Sequence, residues 1–435
     1  MEELYWLWLS LAVSPGSHSF KKLLNKFKTV EEIYKATDKM INSAIDPKSS
    51  DRKGLIDKSL EKATEVRDFC KKMNIGIVTY ADELYPDSLR DIPNPPVLLY
   101  YRGKFPKFND YVSISVVGTR YPTSYGRKNA FELSYDLARA GGLIISGMAI
   151  GIDGVAHASA IAAGMPTVAV LGSGINVCYP KIHLSLAREI VKTGCVITEY
   201  PPNTEPIGNH FPRRNRIIAG IAQATILIEG GEKSGSLITA RLAEENDRKV
   251  YAVPGNVGNK MSAAANLLIK TGVSAVTSAE DVIKDFEKQG RVLLNRFNLS
   301  KTRPNIHSVL KSASVSAVTP DDDIFTPSRK RITTKEARVS EEQRKEAPAA
   351  TPQKEEPSHI KAEEKGGSGA PSQAVFDANA LKVYKRIPEG AECSYESLCG
   401  DGITISDVAT AVLKLQIMGF VTVYPGDFVS RKFKG

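Results

Sequence analysis

Three arginines stand within four positions of the segment Phe211-Pro212-Arg213-Arg214-Asn215-Arg216, which we interpret as a loop. Such dense positive charge is unfavourable unless carboxylates of the protein or a bound anion neutralise it. Glu199 and Glu229, which end neighbouring predicted strands, are the candidates for internal ion pairs. We expect some of the arginines to form such pairs and the remainder to face a bound polyanion.

Glycine-rich turns accompany the arginine segment, each between a predicted strand and a predicted helix. They are Val116–Arg120, Ser146–His157, Leu171–Gly174 and Glu229–Thr239. Glycine allows a ligand to approach the backbone closely, and the free N–H groups of a helix N-terminus bind phosphate. Together with the arginines, these turns indicate a nucleotide-type fold that acts on nucleic acid rather than on a small cofactor.

The first turn, Gly118-Thr119-Arg120, has two interpretations. Thr119, Ser124 and backbone N–H groups could hold a phosphate, with Arg120 adding positive charge. It could equally be an ordinary strand-end turn with a solvated arginine. The chain contains neither the G-x-G-x-x-G fingerprint nor the P-loop order G-x-x-x-x-G-K-[ST]. Neither dinucleotide binding nor ATP hydrolysis is therefore supported, and we predict no cofactor.

The second turn contains Asp153 and, one helical turn later, His157. An Asp and a His four residues apart could perform acid–base chemistry. Alternatively, Asp153 is the N-cap of the next helix and His157 forms a local hydrogen bond. We favour capping because neither a nucleophile nor a set of metal ligands accompanies the pair. We predict that the chain is not an enzyme.

The composition narrows the class of protein. The chain has 435 residues, 42% of them hydrophobic, which suffices for two to four modules with buried cores. Its formal net charge of +9 favours an acidic partner, although the charge is spread along the chain. Five cysteines without C-x-x-C spacing indicate reduced thiols and no metal site. Without a signal peptide or a membrane-spanning apolar run, we predict a cytoplasmic protein with no membrane contact.

Short apolar segments rich in β-branched residues alternate with amphipathic segments between residues 113 and 285. The predicted strands are Ile114–Val117, Leu143–Ile145, Thr167–Leu171, Val196–Thr198, Thr225–Ile228, Val250–Val253 and Ala275–Thr277. The predicted helices are Gly126–Ala140, Gly154–Ala163, Ile182–Lys192, Leu237–Asn246, Ala263–Lys270 and Ala279–Phe286. Strands that are apolar on both faces are typical of a parallel sheet covered by helices. The pattern predicts a doubly wound α/β fold.

Composition shifts divide the chain into four predicted regions. Residues 1–75 form a small all-α N-terminal domain, 76–290 the α/β domain, 291–374 a largely disordered linker and 375–435 a C-terminal winged helix. Within the first region, Pro15-Gly16-Ser17-His18 is either a helix-hairpin-helix turn that offers N–H groups to a phosphate or a plain turn between two helices. We favour the plain turn because the second glycine of the motif is missing.

Six segments of the chain resemble, in order, the motifs of the DprA/Smf family of DNA-processing proteins. They are Ser146–His157, Gly172–Pro180, Glu199–Pro201, Phe211–Gly220, Ser234–Ala240 and Ala252–Gly255. The resemblance extends over about residues 85–286. Two segments depart from the family pattern: Glu229-Gly230-Gly231 stands where many members have Glu-Ala, and Ser262–Asn266 lacks a usual glycine.

The resemblance implies an extended Rossmann-like fold and a single-stranded DNA-binding protein of natural transformation. Such a protein would protect incoming single strands, load the RecA recombinase onto them and form a homodimer through the Rossmann-like domain. The implied DNA groove comprises Gly118, Thr119, Arg120, Ser146, Gly147, Gly151, Phe211, Arg213, Arg214, Asn215, Arg216, Ser234, Gly235 and Ser236. Phe211, Tyr121 and Tyr125 could stack on unpaired bases, with burial in the core as the alternative for at least one of them.

Two other functions are compatible with parts of the sequence. A nucleotide-processing enzyme of the phosphoribohydrolase type also uses a glycine-rich site. It needs a Pro-Gly-Gly-x-Gly-Thr turn followed by a glutamate, and Glu229 stands in place of that proline. A regulator that reads DNA with its winged helix is the other possibility. Its candidate recognition helix, Ser406–Met418, carries only Lys414 as a basic residue, so we favour an accessory or protein-contact role.

Overall fold

A computed structural model describes most of the chain. The described residues are 1–286, 294–295, 298–299, 302–314, 378–388, 393–400 and shorter stretches between 403 and 431. Two compact units contain them, Met1–Lys330 and Arg331–Gly435. Most of the predicted linker, much of the predicted helix Ser406–Met418 and the turn of the predicted hairpin lie outside the described residues.

A nine-stranded sheet forms the centre of the first unit. Its strands are β1 (Gly76–Thr79), β2 (Leu98–Gly103), β3 (Ser113–Val117), β4 (Leu143–Ser146), β5 (Thr167–Val170), β6 (Cys195–Thr198), β7 (Ala224–Leu227), β8 (Lys249–Ala252) and β9 (Ser274–Ala275). The spatial order is β1-β2-β6-β5-β4-β3-β7-β8-β9. The seven strands from β6 to β9 are parallel, whereas β2 pairs antiparallel with β6 and β1 antiparallel with β2.

Helices cover both faces of the sheet. They are α7 (Asp87–Asp91), α8 (Ser124–Arg139), α9 (Ile152–Ala162), α10 (Leu184–Thr193), α11 (His210–Ile221), α12 (Gly235–Glu245), α13 (Ala263–Lys270) and α14 (Ala279–Phe286). Successive strand residues point to opposite faces, so Ile144 joins the core under α8, α9 and α10. Leu143 and Ile145 join the core under α11, α12 and α13. This arrangement confirms the predicted Rossmann-like α/β fold.

Residues 2–72 form six helices. They are α1 (Glu2–Ala12), α2 (Ser19–Lys26), α3 (Val30–Lys35), α4 (Asp38–Asn42), α5 (Asp51–Ile56) and α6 (Glu61–Lys72). The apolar side chains of α1, including Trp6 and Trp8, are buried in the same core as one face of the sheet. In the turn between α1 and α2, the Asp51 carboxylate accepts hydrogen bonds from Ser14 N at 2.8 Å and Ser17 Oγ. The buried Asp51 carboxylate thus fixes the conformation of this turn through these two hydrogen bonds.

Three features differ from the sequence-based expectation. In the segment 76–112 the apolar run Val97–Tyr101 predicts one strand, whereas the structure has two, because β1 is short and half-buried and lacks a clear apolar pattern. The segment Phe211–Arg216 is not a loop but part of α11, and Pro212 is tolerated because the first-turn N–H groups of a helix have no intrahelical partner. A helix, α15 (Ile306–Ser314), lies within the predicted linker.

The stretch around α15 is attached to the first unit. Arg303 donates two hydrogen bonds to the Asp136 carboxylate of α8, from Nε at 3.0 Å and Nη2 at 2.6 Å. Leu294 and Val309 are buried beside the helices of that face. The beginning of the predicted linker is therefore packed against the α/β unit.

The second unit is described in part. Helix α16 (Ala378–Arg386) precedes a small antiparallel sheet of β10 (Cys393–Ser394), β11 (Val421–Tyr424) and β12 (Phe428–Arg431), in the order β10-β12-β11. Val383, Leu398, Val412 and Val429 belong to its separate apolar core.

Candidate nucleic-acid interface

The candidate interface lies at the carboxyl ends of the parallel strands. After β3 the chain builds β4, β5 and β6 on one side of that strand, whereas β7, β8 and β9 lie on its other side. The loops after β3 and β7 therefore leave the sheet at its topological switch point, which is where open α/β sheets bind ligands. The four predicted glycine-rich turns follow β3, β4, β5 and β7, so they share this edge.

The crevice between β3 and β7 is filled by Glu229. Its carboxylate accepts hydrogen bonds from Thr123 N at 2.9 Å and Thr123 Oγ1 at 2.6 Å, and its backbone carbonyl accepts one from Thr119 N at 2.7 Å. Thr123 Oγ1 also caps α8 by accepting from Gly126 N. A buried carboxylate therefore lies at the N-terminus of α8, where one of the two interpretations of the first turn expects a phosphate.

This arrangement also bears on the nucleotide-enzyme alternative. Glu229 is 1% exposed and engaged with Thr123, so it is not open to a substrate. A Rossmann-like site that binds a nucleotide needs the switch-point crevice open to the phosphate. At this position the structure therefore offers no open site for a nucleotide of the kind that a phosphoribohydrolase-type enzyme would bind.

The turn after β4 is organised by Asp153. Asp153 is not the N-cap of α9, which is Gly151; it lies in the first turn and accepts hydrogen bonds from Gly147 N at 3.1 Å and Ala149 N at 3.3 Å. Burial raises the pKa of Asp153, and the positive charge of Arg214 opposes that rise. The prediction that Asp153 is the N-cap is therefore wrong, although its carboxylate still stabilises the N-terminus of α9 from the first turn.

His157 is buried and is not part of an acid–base pair. Its Nδ1 lies 2.8 Å from Thr167 Oγ1, the first residue of β5. Burial lowers the pKa of His157 to about 3, with the positive charges of His183 and Arg214 acting in the same direction. The imidazole is therefore neutral at physiological pH and supports the packing of α9 on β5.

The three arginines of helix α11 differ in their exposure to solvent. Arg213 is exposed, whereas Arg214 and Arg216 are 4% and 5% exposed. Arg214 Nη1 donates to the carbonyls of Gly147, at 2.9 Å, and Val170, so it ties α11 to the ends of β4 and β5. A side chain at Gly147 would lie 2.6 Å from Arg214 Nη2 and 2.8 Å from Asp153 Oδ2, so only glycine fits between these two groups.

The second buried arginine forms an ion pair. Arg216 Nη2 contacts Glu199 Oε2 at 2.5 Å, and both side chains are 6% exposed. Burial raises the pKa of Glu199, and the charge of Arg216 opposes the rise. This is one of the internal ion pairs expected from the sequence, whereas the expected alternative partner, Glu229, is engaged with Thr123. Arg214 and Arg216, which were predicted to contact DNA, are thus both bonded within the protein.

An arginine and two aromatic rings are in contact at the surface of this edge. The Arg120 guanidinium lies 5.8 Å from the centroid of the Phe211 ring, and the Tyr179 ring lies 5.3 Å from it at an interplanar angle of 37°. Arg120 and Arg213 are exposed, Tyr179 is 40% exposed and Phe211 is half-buried. We call Arg120, Tyr179 and Phe211 the cation–aromatic cluster; Arg213 is exposed on the same helix as Phe211. Such a combination matches the phosphates and unpaired bases of a single strand.

The turn after β7 borders this cluster. Ser234 Oγ caps α12 by accepting from Leu237 N at 3.4 Å and lies 2.9 Å from Ser236 Oγ. Asn215 Nδ2 donates to the Gly235 carbonyl at 3.4 Å, which joins α11 to the start of α12. Gly235 is exposed and has open space where a side chain would stand.

The predicted site residues therefore fall into two groups. Those with exposed or half-buried atoms at the carboxyl edge are Gly118, Thr119, Arg120, Gly151, Phe211, Arg213, Asn215, Ser234 and Gly235. Those buried behind that surface are Ser146, Gly147, Arg214, Arg216 and Ser236. The buried group shapes the turns, and the exposed group is available to a ligand.

Sequence reasoning did not place Tyr179 in the site. Its signal was an aromatic residue before Pro180 in the loop after β5, but its contact with Phe211 depends on the packing of α11. Of the two other tyrosines expected to stack on bases, Tyr121 is 60% exposed and Tyr125 is 48% exposed. Tyr125 Oη donates to the Pro254 carbonyl at 2.7 Å.

Across the described ranges, His, Cys, Asp and Glu side chains do not gather in threes as a metal ion would require. No helix in the described part of the chain combines the length and apolar character needed to cross a bilayer.

Comparison with known proteins gives consistent matches. The family model for DNA recombination-mediator protein A matches residues 76–287. DNA processing protein DprA of Bacillus subtilis is 36% identical over 242 residues, which are 56% of this chain and 82% of that protein. DprA of Streptococcus pneumoniae is 40% identical over 211 residues, 47% of this chain and 72% of that protein. The X-ray structure of the Streptococcus pneumoniae protein aligns with a TM-score of 0.57 and 31% identity, covering 66% of this chain and 98% of that one.

These matches confirm the resemblance found in the sequence, because they span the α/β unit in which all six motifs lie. The family consists of DNA-binding recombination mediators rather than enzymes. On the sequence matches and the shared nine-stranded architecture, the chain belongs to the DprA/Smf family of DNA recombination mediators.

Proposed function

We propose that this chain binds single-stranded DNA at the carboxyl edge of its sheet. The observation that carries the proposal is the cation–aromatic cluster, in which Arg120 lies over Phe211 beside Tyr179, with Arg213 on the same helix as Phe211. Arginines attract phosphates whatever the sequence, and aromatic rings stack on bases only where these are unpaired. The surface is thus suited to single strands and tolerant of base sequence.

The backbone turns next to the cluster would assist this binding. Thr119, Gly151 and Gly235 are small residues with exposed or half-buried atoms, so a DNA backbone could come close to them. Arg214 and Arg216 would contribute by holding α11 in place rather than by touching phosphates. Both groups of predicted site residues would therefore matter for binding, the exposed group by contacting DNA and the buried group by supporting the turns and α11.

As a recombination mediator, the protein would protect incoming single strands in natural transformation and load the RecA recombinase onto them in the cytoplasm. A homodimer through the Rossmann-like unit would place two DNA-binding edges in one particle. We assign residues 1–75 to a small all-α domain and residues 375–435 to a winged helix with an accessory or protein-contact role. Residues 291–374 would link the two units, with the part up to residue 314 anchored to the first.

DNA binding is tested by fluorescence anisotropy of a labelled single-stranded oligonucleotide across a salt series. Arg120→Ala should weaken binding and reduce the slope of log K against log salt by about 0.7, the value for one phosphate contact on a single strand. Phe211→Ala should cost about 1–3 kcal/mol of binding free energy without changing the slope, because stacking releases no counterions. Equal binding by all three proteins would refute the proposed surface.

Two controls sharpen this test. Arg139→Ala removes an exposed arginine at the other end of α8, away from the carboxyl edge, and should bind as the wild type does. For the loading activity, RecA filament growth is followed on single strands that are already coated with a single-strand-binding protein. The wild type should accelerate it; an unchanged rate would contradict loading while leaving DNA binding intact.

A further inference from the structure

The turn between α1 and α2 contacts the helix that carries the DNA-binding side chains. In this turn Gly16 has a φ of +80°, and a side chain there would lie 3.4 Å from Arg216 Nε and 4.0 Å from Arg213 Cγ. Asn94 Nδ2 donates to the Gly16 carbonyl at 3.0 Å and Asp51 holds Ser14 and Ser17, so the turn is fixed from both sides. The turn lies outside residues 76–287, which the family model matches.

Between the turn and α11 is a small polar cavity of about 20 Å³. Its lining includes Ser14, Gly16, Ser17, Glu199 and Arg216. Although Glu199 and Arg216 are paired with each other, Glu199 Oε1, Arg216 Nε and Arg216 Nη1 are buried without a protein partner. A cavity of this size holds about one water molecule, and a buried charged group needs such partners. The turn therefore lies over the Glu199–Arg216 ion pair, beside a cavity with room for about one water molecule.

We propose that the Pro15–Ser17 turn is a positioning element for DNA binding: it packs over the Glu199–Arg216 pair and thereby sets the orientation of α11. The inference rests on the proposed function, in which Phe211 and Arg213 of α11 contact the single-stranded DNA. In this arrangement the N-terminal helices act on DNA affinity through α11, without contacting phosphate themselves.

The chain offers a matched pair of glycines for a test. Gly16→Val places a branched side chain against Arg216 at a residue with φ of +80°. Gly164→Val introduces the same residue at φ of +73°, where nothing lies within 4 Å of the new side chain. Both variants place a β-branched residue in left-handed backbone, which is strained, so both should lose stability. Only Gly16→Val should change DNA binding.

The readouts are oligonucleotide anisotropy across a salt series and amide hydrogen exchange of α11, each well below the unfolding temperature. For Gly16→Val we expect Kd to rise about fivefold, within the range that remote positioning residues produce. The salt slope should equal that of the wild type, and α11 should exchange faster. Asn94→Ala, which releases the turn without backbone strain, should shift Kd in the same direction if Gly16→Val does not fold.

Three results would overturn the inference. Folded Gly16→Val and Asn94→Ala proteins that bind as the wild type does would show that the turn does not act on α11. A salt slope reduced by about 0.7 would make the turn a direct phosphate contact instead. An equal loss of affinity in Gly164→Val would reduce the effect to general destabilisation. Failure of the proposed function is distinct, because the wild type itself would then not bind the oligonucleotide.

Discussion

Adjacent arginines of α11 should respond to alanine substitution in opposite ways. Arg213 is exposed and makes no described hydrogen bond or ion pair with another side chain, whereas Arg214 is 4% exposed and donates to the carbonyls of Gly147 and Val170. We expect Arg213→Ala to weaken DNA binding with stability unchanged. We expect Arg214→Ala to destabilise the fold, so that any loss of binding follows from unfolding.

The magnitude for Arg214→Ala follows from what it leaves behind. Two buried carbonyls lose a charged donor, each hydrogen bond being worth about 1.5–3 kcal/mol, and Asp153 loses the cation across Gly147. Burial lowers the pKa of Arg214 to about 10, so the guanidinium is still charged at neutral pH. A total of about 3–5 kcal/mol is therefore expected, the usual cost of breaking a buried charge contact. For a unit of this size that corresponds to a fall in Tm of roughly 10 °C.

The assay measures urea unfolding and oligonucleotide anisotropy on both variants. Arg213→Ala should unfold within about 0.5 kcal/mol of the wild type, as surface substitutions do. Its salt slope should fall by about 0.7 through loss of one phosphate contact. The reasoning is refuted if Arg214→Ala is as stable as the wild type and loses salt-dependent binding. That result would place Arg214 on the DNA and not in the core.

Two further predictions concern groups buried near the sheet edge. Glu229→Ala should lower the free energy of unfolding by about 2–3 kcal/mol, because Thr123 N and Thr123 Oγ1, which caps α8, lose their acceptor. Substitution of the exposed Glu232 in the same loop, Glu232→Ala, is the control. Equal urea midpoints for the two variants would contradict the proposed crevice contact. Because the pKa of His157 is lowered to about 3, below pH 6.5 only the unfolded chain takes up this proton. Stability should therefore fall with pH from about 6.5 towards 3, and His157→Gln should remove about 1.4 kcal/mol per pH unit of that slope. Parallel stability–pH curves for the two proteins would argue against a buried neutral imidazole.

The core strands and helices could be predicted because their signals are local. Parallel strands such as β4 and β5 are short and apolar on both faces, and helices α13 and α14 begin and end at the predicted residues. Strand β1 could not be predicted in this way, since its burial depends on contacts with β2 and on the helices of residues 2–72.

The candidate site was predicted less completely. The sequence located the arginine-rich segment and the glycine turns at the carboxyl ends of the strands, because turn composition and the alternation of strands and helices are local patterns. It misread Phe211–Arg216 as a loop, since arginine density obscured the buried positions Ile217, Ile218 and Ile221 that make α11 a packed helix. It also missed Tyr179, whose role depends on a contact between the loop after β5 and the distant helix α11.

By itself, the sequence determined the class of fold and the family and predicted polyanion binding, because periodicity, glycine position and charge are properties of neighbouring residues. Only the tertiary structure decided which charges face outwards. Arg213 and Arg214 are identical and adjacent, and the 100° step between helix positions sends one to the surface and the other to Gly147 and Val170. The same packing placed Glu229 in the switch-point crevice and the Gly16 turn behind α11, neither of which any local pattern encodes.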